Sequence, residues 1–164
     1  MFITAAAVAL LTLPPISAVG GGPPRLRVED PHLARMIEDG SQRSPSFHAI
    51  VQDIKASNVV VYVQFGKCQP HVDACLEYVT WAAPFLYLKA TMDPFEKPES
   101  VIVGLVAHEL QHALELAEGD IRTGEQFGAF YEAHGRRGSA GYETDAALAA
   151  GVRVEHEFRS APRR

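Results

Sequence analysis

Positive charge is what this chain has least to spare. Its 15 Lys and Arg stand against 20 Asp and Glu, a formal net charge of −5, so there is no basic footprint for a nucleic-acid backbone. Coiled-coil heptads, long low-complexity segments and repeats at a fixed period are missing too, which excludes repeat architectures. The apolar run at the N-terminus, residues 1–13, falls short of the ~20 residues that a membrane-spanning helix needs. Cysteine is scarce: Cys68 and Cys75 flank the loop CQPHVDAC, and a metal site built on Cys68, His71 and Cys75 lacks a fourth ligand at comparable spacing.

What remains is ordinary for a folded protein. Hydrophobic residues make up 47% and charged residues 21% of 164, enough for one domain with a real core. Residues 1–18 resemble a secretory signal peptide: an apolar run, the break at Pro14-Pro15, then small residues suited to cleavage. The leader is atypical, because no Lys or Arg precedes the apolar stretch. Residues 19–28, rich in Gly and Pro, read as a flexible lead-in, and residues 29–164 as the single domain. Export implies a secreted or periplasmic protein with no stable membrane span once the leader is removed. In that compartment a Cys68–Cys75 disulfide is the simplest reading of the cysteine pair.

The pattern predicts helices and strands in alternating groups. Glu29-Asp30-Pro31 opens a short helix that Gly40 stops, and Ser44-Pro45 opens a second, with Phe47, Ile50, Val51 and Ile54 on its apolar side. Residues 59–65, VVVYVQF, form a strand, as do 76–81 and 85–90, and their proximity suggests a small antiparallel sheet. A strongly apolar helix follows over 101–119. Another spans 123–134, a loop covers 135–141, and a last helix runs from about Tyr142 to Phe158.

The helix over 101–119 carries the chemistry. Within it lies HELQH, with His108 and His112 four residues apart. On a helix they project from one face, about 6 Å from each other, close enough for both imidazoles to reach one Zn²⁺. Glu109 between them is the residue that such sites use as general base. An apolar helix would not bury two histidines and a glutamate without a shared purpose. Gly104, one turn before His108, leaves room for a metal, a substrate or another helix.

A catalytic zinc takes three protein ligands and keeps one position open. The metzincin extension is absent, since position 118 is Glu118 and position 115 is not glycine. The third ligand is then a glutamate, from Glu115, Glu118, Glu125, Glu132 and Glu143. Glu115 sits within a turn of His112, better placed to contact solvent or a ligand's far side than to complete a tetrahedron. Glu132 follows His112 at a spacing like that of thermolysin-like enzymes but lacks their neighbouring Asn-Glu. Glu143 is favoured: it begins ETDAALAAG, whose Ala146, Ala147 and Ala150 would let a helix lie close against another.

HELQHALE followed some 30 residues later by YETDAALAAG resembles a gluzincin-type zinc metallopeptidase, in particular secreted bacterial proteins that share HELQHA…E and a later ET-x-AA segment. The resemblance covers roughly residues 85–157. It implies a zincin-like α+β fold, a small antiparallel sheet packed against a buried HExxH helix and further helices. It also implies His108, His112 and Glu143 as zinc ligands, Glu109 as catalytic base, and a peptide or protein substrate. One departure concerns the acceptor that many gluzincins place four residues after the ligand glutamate, because that position here is Ala147.

Peptide hydrolysis also requires an oxyanion donor, for which Tyr142 is the first candidate, ahead of Tyr131 and His134. The strand at 85–90 could hold an extended peptide at a sheet edge. The competing expectation is a secreted zinc-binding structural domain with a degenerate site. A di-iron bundle would need two Glu-x-x-His motifs on helices of an all-helical bundle, and the predicted strands argue against it.

Overall fold

The first two helices start at the caps written in the sequence. The computed structural model describes residues 24–138 and 141–162; the apolar leader and residues 19–23 lie outside the described residues. Asp30 accepts from the backbone N–H groups of His32 and Leu33 and opens α1, Pro31–Arg43. Ser44 closes that helix and caps α2, Pro45–Ala56, accepting from the Phe47 N–H at 3.0 Å. Gly40 lies inside α1 and does not stop it. A Cβ there would meet Val103 Cγ1 at 2.7 Å, so this glycine serves close helix approach.

The sheet is mixed, not antiparallel throughout. Strands β1 (Leu26–Val28), β2 (Val59–Phe65), β3 (Ala74–Ala82) and β4 (Phe85–Met92) lie in the order β1-β2-β4-β3. Pairs β1/β2 and β2/β4 are parallel, and β3/β4 alone is antiparallel. The chain leaves β2, runs along the sheet edge as β3, then turns back as β4 between them. Two expectations change. The end of the lead-in is strand β1, aligned with Val61–Val63. The 85–90 segment lies in β4, an internal strand, so it cannot be the edge that holds a peptide.

Val59, Val61 and Val63 of β2 and Leu86, Leu88, Ala90 and Met92 of β4 point to one buried face, the period-2 alternation of a strand. Against that face lies α3, Glu99–Glu118, which buries Ile102, Val103, Val106, Leu110, Ala113 and Leu116. Helix α3 makes its most extensive contact with α5, Asp145–Ser160. Between them come α4, Gly124–His134, and a short hairpin of β5 (Arg136–Gly138) with β6 (Gly141–Glu143). The 135–141 segment therefore contributes strand residues where a loop was expected. The last helix starts three residues later than Tyr142, because Thr144 is its cap and accepts from the Ala147 N–H. No described helix is long and apolar enough to cross a membrane.

Candidate metal centre

Three elements bring the site together. From α3, His108 and His112 project one turn apart, their rings 4.7 Å between centroids and edge to face. Strand β6 supplies Glu143, one residue before the Thr144 cap. Helix α5 lies so close to α3 that a Cβ on Gly151 would sit 3.3 Å from His108 Cβ. Of the small-residue face proposed for the 142–158 helix, Ala147 is buried and Ala150 half-buried, but Ala146 is exposed, and Gly151 makes the close approach that seats α5 against α3. The carboxylate comes from the strand before the helix.

Glu143 Oε2 lies 2.9 Å from His108 Nε2 and 3.4 Å from His112 Nε2. One ligand atom from each of the three residues falls within 4.8 Å of the others. Tetrahedral zinc with bonds of 2.0–2.1 Å separates its ligand atoms by about 3.3 Å, so the two carboxylate distances lie near the spacing that a shared ion would impose. This is the group among the described residues that could hold a metal. The donors, two imidazoles and a carboxylate, fit a transition ion better than calcium or magnesium, which take oxygen ligands.

Charge in the site is tightly organised. Hydrogen bonds to His108 and then His112 hold the Glu143 carboxyl down to about 2. Burial works to lower His112, but its hydrogen bonds to Glu115 and Glu143 more than offset this and raise it to about 9. Glu109 is only 3% exposed. Burial drives its carboxyl up to about 7, against the opposing pull of the two histidines, which makes it a group able to accept and return a proton near neutral pH.

A cleft of about 510 Å³ opens onto these groups. Its walls are Phe127, Gly128 and Tyr131 of α4, Tyr142 of the hairpin, and the start of β3 with the loop before it. Ala74, Cys75, Leu76 and Glu77 all line it. Successive strand side chains point to opposite faces, so four in a row mean that the edge of β3 borders the cleft. On its other side β3 pairs with β4. Cys68 and Cys75 are joined by a disulfide in the same wall, which removes them as metal ligands.

The remaining candidates separate cleanly. Tyr142 is half-buried in the cleft wall. Tyr131 is buried, packs edge to face on His112 at 5.2 Å, and donates its hydroxyl to the His112 carbonyl at 3.5 Å; burial pushes its phenol well up. His134 is exposed, stacked on Phe130 and bonded to the Phe130 carbonyl. Glu132 lines the cleft as an exposed residue outside the metal group. Sequence reasoning missed Thr144, whose hydroxyl donates to Glu115 Oε1 at 2.7 Å; the available signal was a Thr before an apolar helical run, the mark of a cap. The chain matches no family model, no curated protein and no solved structure.

Proposed function

We propose that the protein is a gluzincin-type zinc metallopeptidase with a zincin-like α+β fold, exported to a secreted or periplasmic location. The observation that carries this reading is the convergence of His108 Nε2, His112 Nε2 and the Glu143 carboxylate in the same cleft as buried Glu109. His108, His112 and Glu143 would hold a zinc ion there, which would act as a Lewis acid on the attacking water and the scissile carbonyl. Glu109 takes the water's proton and returns it to the leaving amine. The free edge of β3 offers backbone groups for an extended peptide, which makes a peptide segment the fitting substrate. Tyr142, in the cleft wall, is the donor this reading assigns to the developing oxyanion. The Cys68–Cys75 bridge supports export, since such bonds persist in oxidising compartments.

One observation favours a second reading, a zinc-binding structural domain without turnover: the Tyr131 hydroxyl is directed to a backbone carbonyl, which leaves oxyanion stabilisation to Tyr142. A single set of variants separates the two. Wild-type protein should bind one zinc per chain and cleave members of a broad peptide library. Glu109→Gln should keep the zinc and lose about 10²–10⁴-fold in kcat. Glu143→Ala should lose zinc occupancy, and Glu132→Ala should keep it. Zinc-loaded wild type without cleavage supports the structural domain. A protein that binds no zinc, or an active Glu109→Gln, overturns the peptidase.

A further inference from the structure

We infer that Glu115 is a positioning residue, a single carboxylate that clamps two of the three ligands. The inference rests on the metal site proposed above and goes beyond it. Glu115 Oε2 lies 3.0 Å from His112 Nδ1, and Glu115 Oε1 accepts the Thr144 hydroxyl at 2.7 Å. The Glu115 side chain is only 14% exposed, and Thr144 is buried. Both contacts therefore form in surroundings that exclude most water, where such bonds hold firmly.

The two oxygens do different things. Because a carboxylate only accepts, the His112 bond places a proton on Nδ1 and leaves Nε2, the nitrogen nearest Glu143, to face the site. The Thr144 bond acts on the other side. Thr144 directly follows Glu143, and its hydroxyl oxygen also accepts from the Ala147 N–H at 3.2 Å. Fixing Thr144 thus fixes the end of β6 against the first turn of α5, and with it the backbone that carries Glu143. Glu115 and His112 share a helix, three residues apart, whereas Glu143 lies far along the chain. The clamp ties the helix pair to the distant ligand, in place of the acceptor absent at Ala147.

Zinc affinity, measured by competition with a chromophoric chelator, reads this without requiring turnover. Glu115→Ala should weaken zinc binding by about 10–100-fold, the usual cost of removing a histidine's outer partner. Glu115→Gln keeps the volume and an acceptor oxygen and should fall between wild type and Glu115→Ala. Thr144→Val should also weaken binding, while Thr144→Ser, which keeps the hydroxyl and the cap, should stay near wild type. The Glu115→Ala/Thr144→Val double variant should bind little worse than the weaker single one, because both break the same clamp. In the zinc-loaded wild type, ¹⁵N-imidazole NMR should find the His112 proton on Nδ1. Wild-type affinity in Glu115→Ala, or losses that simply multiply in the double variant, would overturn the clamp alone. A wild type that binds no zinc would overturn the clamp together with the metal site beneath it.

Discussion

Protons set the terms on which a metal can enter this site. Burial works to lower His112, but Glu115 and Glu143 outweigh it and raise it to about 9, so near neutral pH a proton must leave before Nε2 can bind a metal ion. The sign follows for the proposed zinc site: affinity should climb as pH rises towards about 9. Calorimetry at pH 7.5 in buffers of different ionisation enthalpy should register proton release on binding; an enthalpy independent of buffer would contradict it. The residues of the motif were legible because helical spacing alone sets His108, Glu109 and His112 on one turn. Glu143 was found by its neighbours' small side chains, although its own place is the end of a strand. The Glu115 contact was legible only as proximity to His112, since Thr144 reaches it from 29 residues away in sequence.

The contact between α3 and α5 decides how closely two elements can approach the ligands. A Cβ on Gly104 would lie 3.0 Å from the Gly151 carbonyl oxygen and 3.1 Å from Glu155 Cβ. Gly→Ala in a helix ordinarily stabilises by about 1 kcal/mol, but crowding in a close-packed contact costs about 1–3 kcal/mol. A backbone oxygen cannot swing aside as a side-chain end can, so crowding wins and Gly104→Ala should be destabilising by about 1 kcal/mol. Gly128 in α4 is the contrast, because a Cβ there meets nothing within 4 Å; Gly128→Ala should stabilise by up to ~1 kcal/mol. Urea unfolding of the two variants tests both signs, and a stabilised Gly104→Ala would refute the packing account. Elements with local signals were readable, such as the Ser44-Pro45 start of α2 and the VVVYVQF strand. Strand order was not, because β1/β2 and β2/β4 join segments far apart, and Arg136–Gly138 with Gly141–Glu143 shows no hydrophobic alternation.

Closure of the whole molecule depends on contacts that no local pattern reveals. The far end of α5 is fastened to the α1–α2 junction more than 110 residues earlier: Glu157 accepts from Ser44 Oγ at 2.5 Å, Ser46 Oγ at 2.7 Å and the Ser46 N–H at 3.0 Å. Arg43 completes the fastening, donating to the Phe158 carbonyl with its guanidinium 3.7 Å over the Phe158 ring. Burial works to raise the Glu157 carboxyl, but the hydrogen bonds from Ser44 and Ser46 outweigh it and hold it below the usual range. A carboxyl depressed in the folded state adds stability that is fully present above its unfolded value, about 4.3. That contribution is lost as pH falls through the lower folded value. Glu157→Gln should therefore be destabilised by about 1.5–3 kcal/mol at pH 7, the range for hydrogen bonds to a charged group. Between pH 5 and pH 3 it should lose less stability than wild type does, so the two curves converge in acid. Glu143, held down to about 2 by His108 and His112, adds a similar acid dependence to both proteins and leaves the difference between them intact. Urea midpoints across that pH range provide the measurement, and parallel curves would mean that Glu157 is bound no better folded than unfolded.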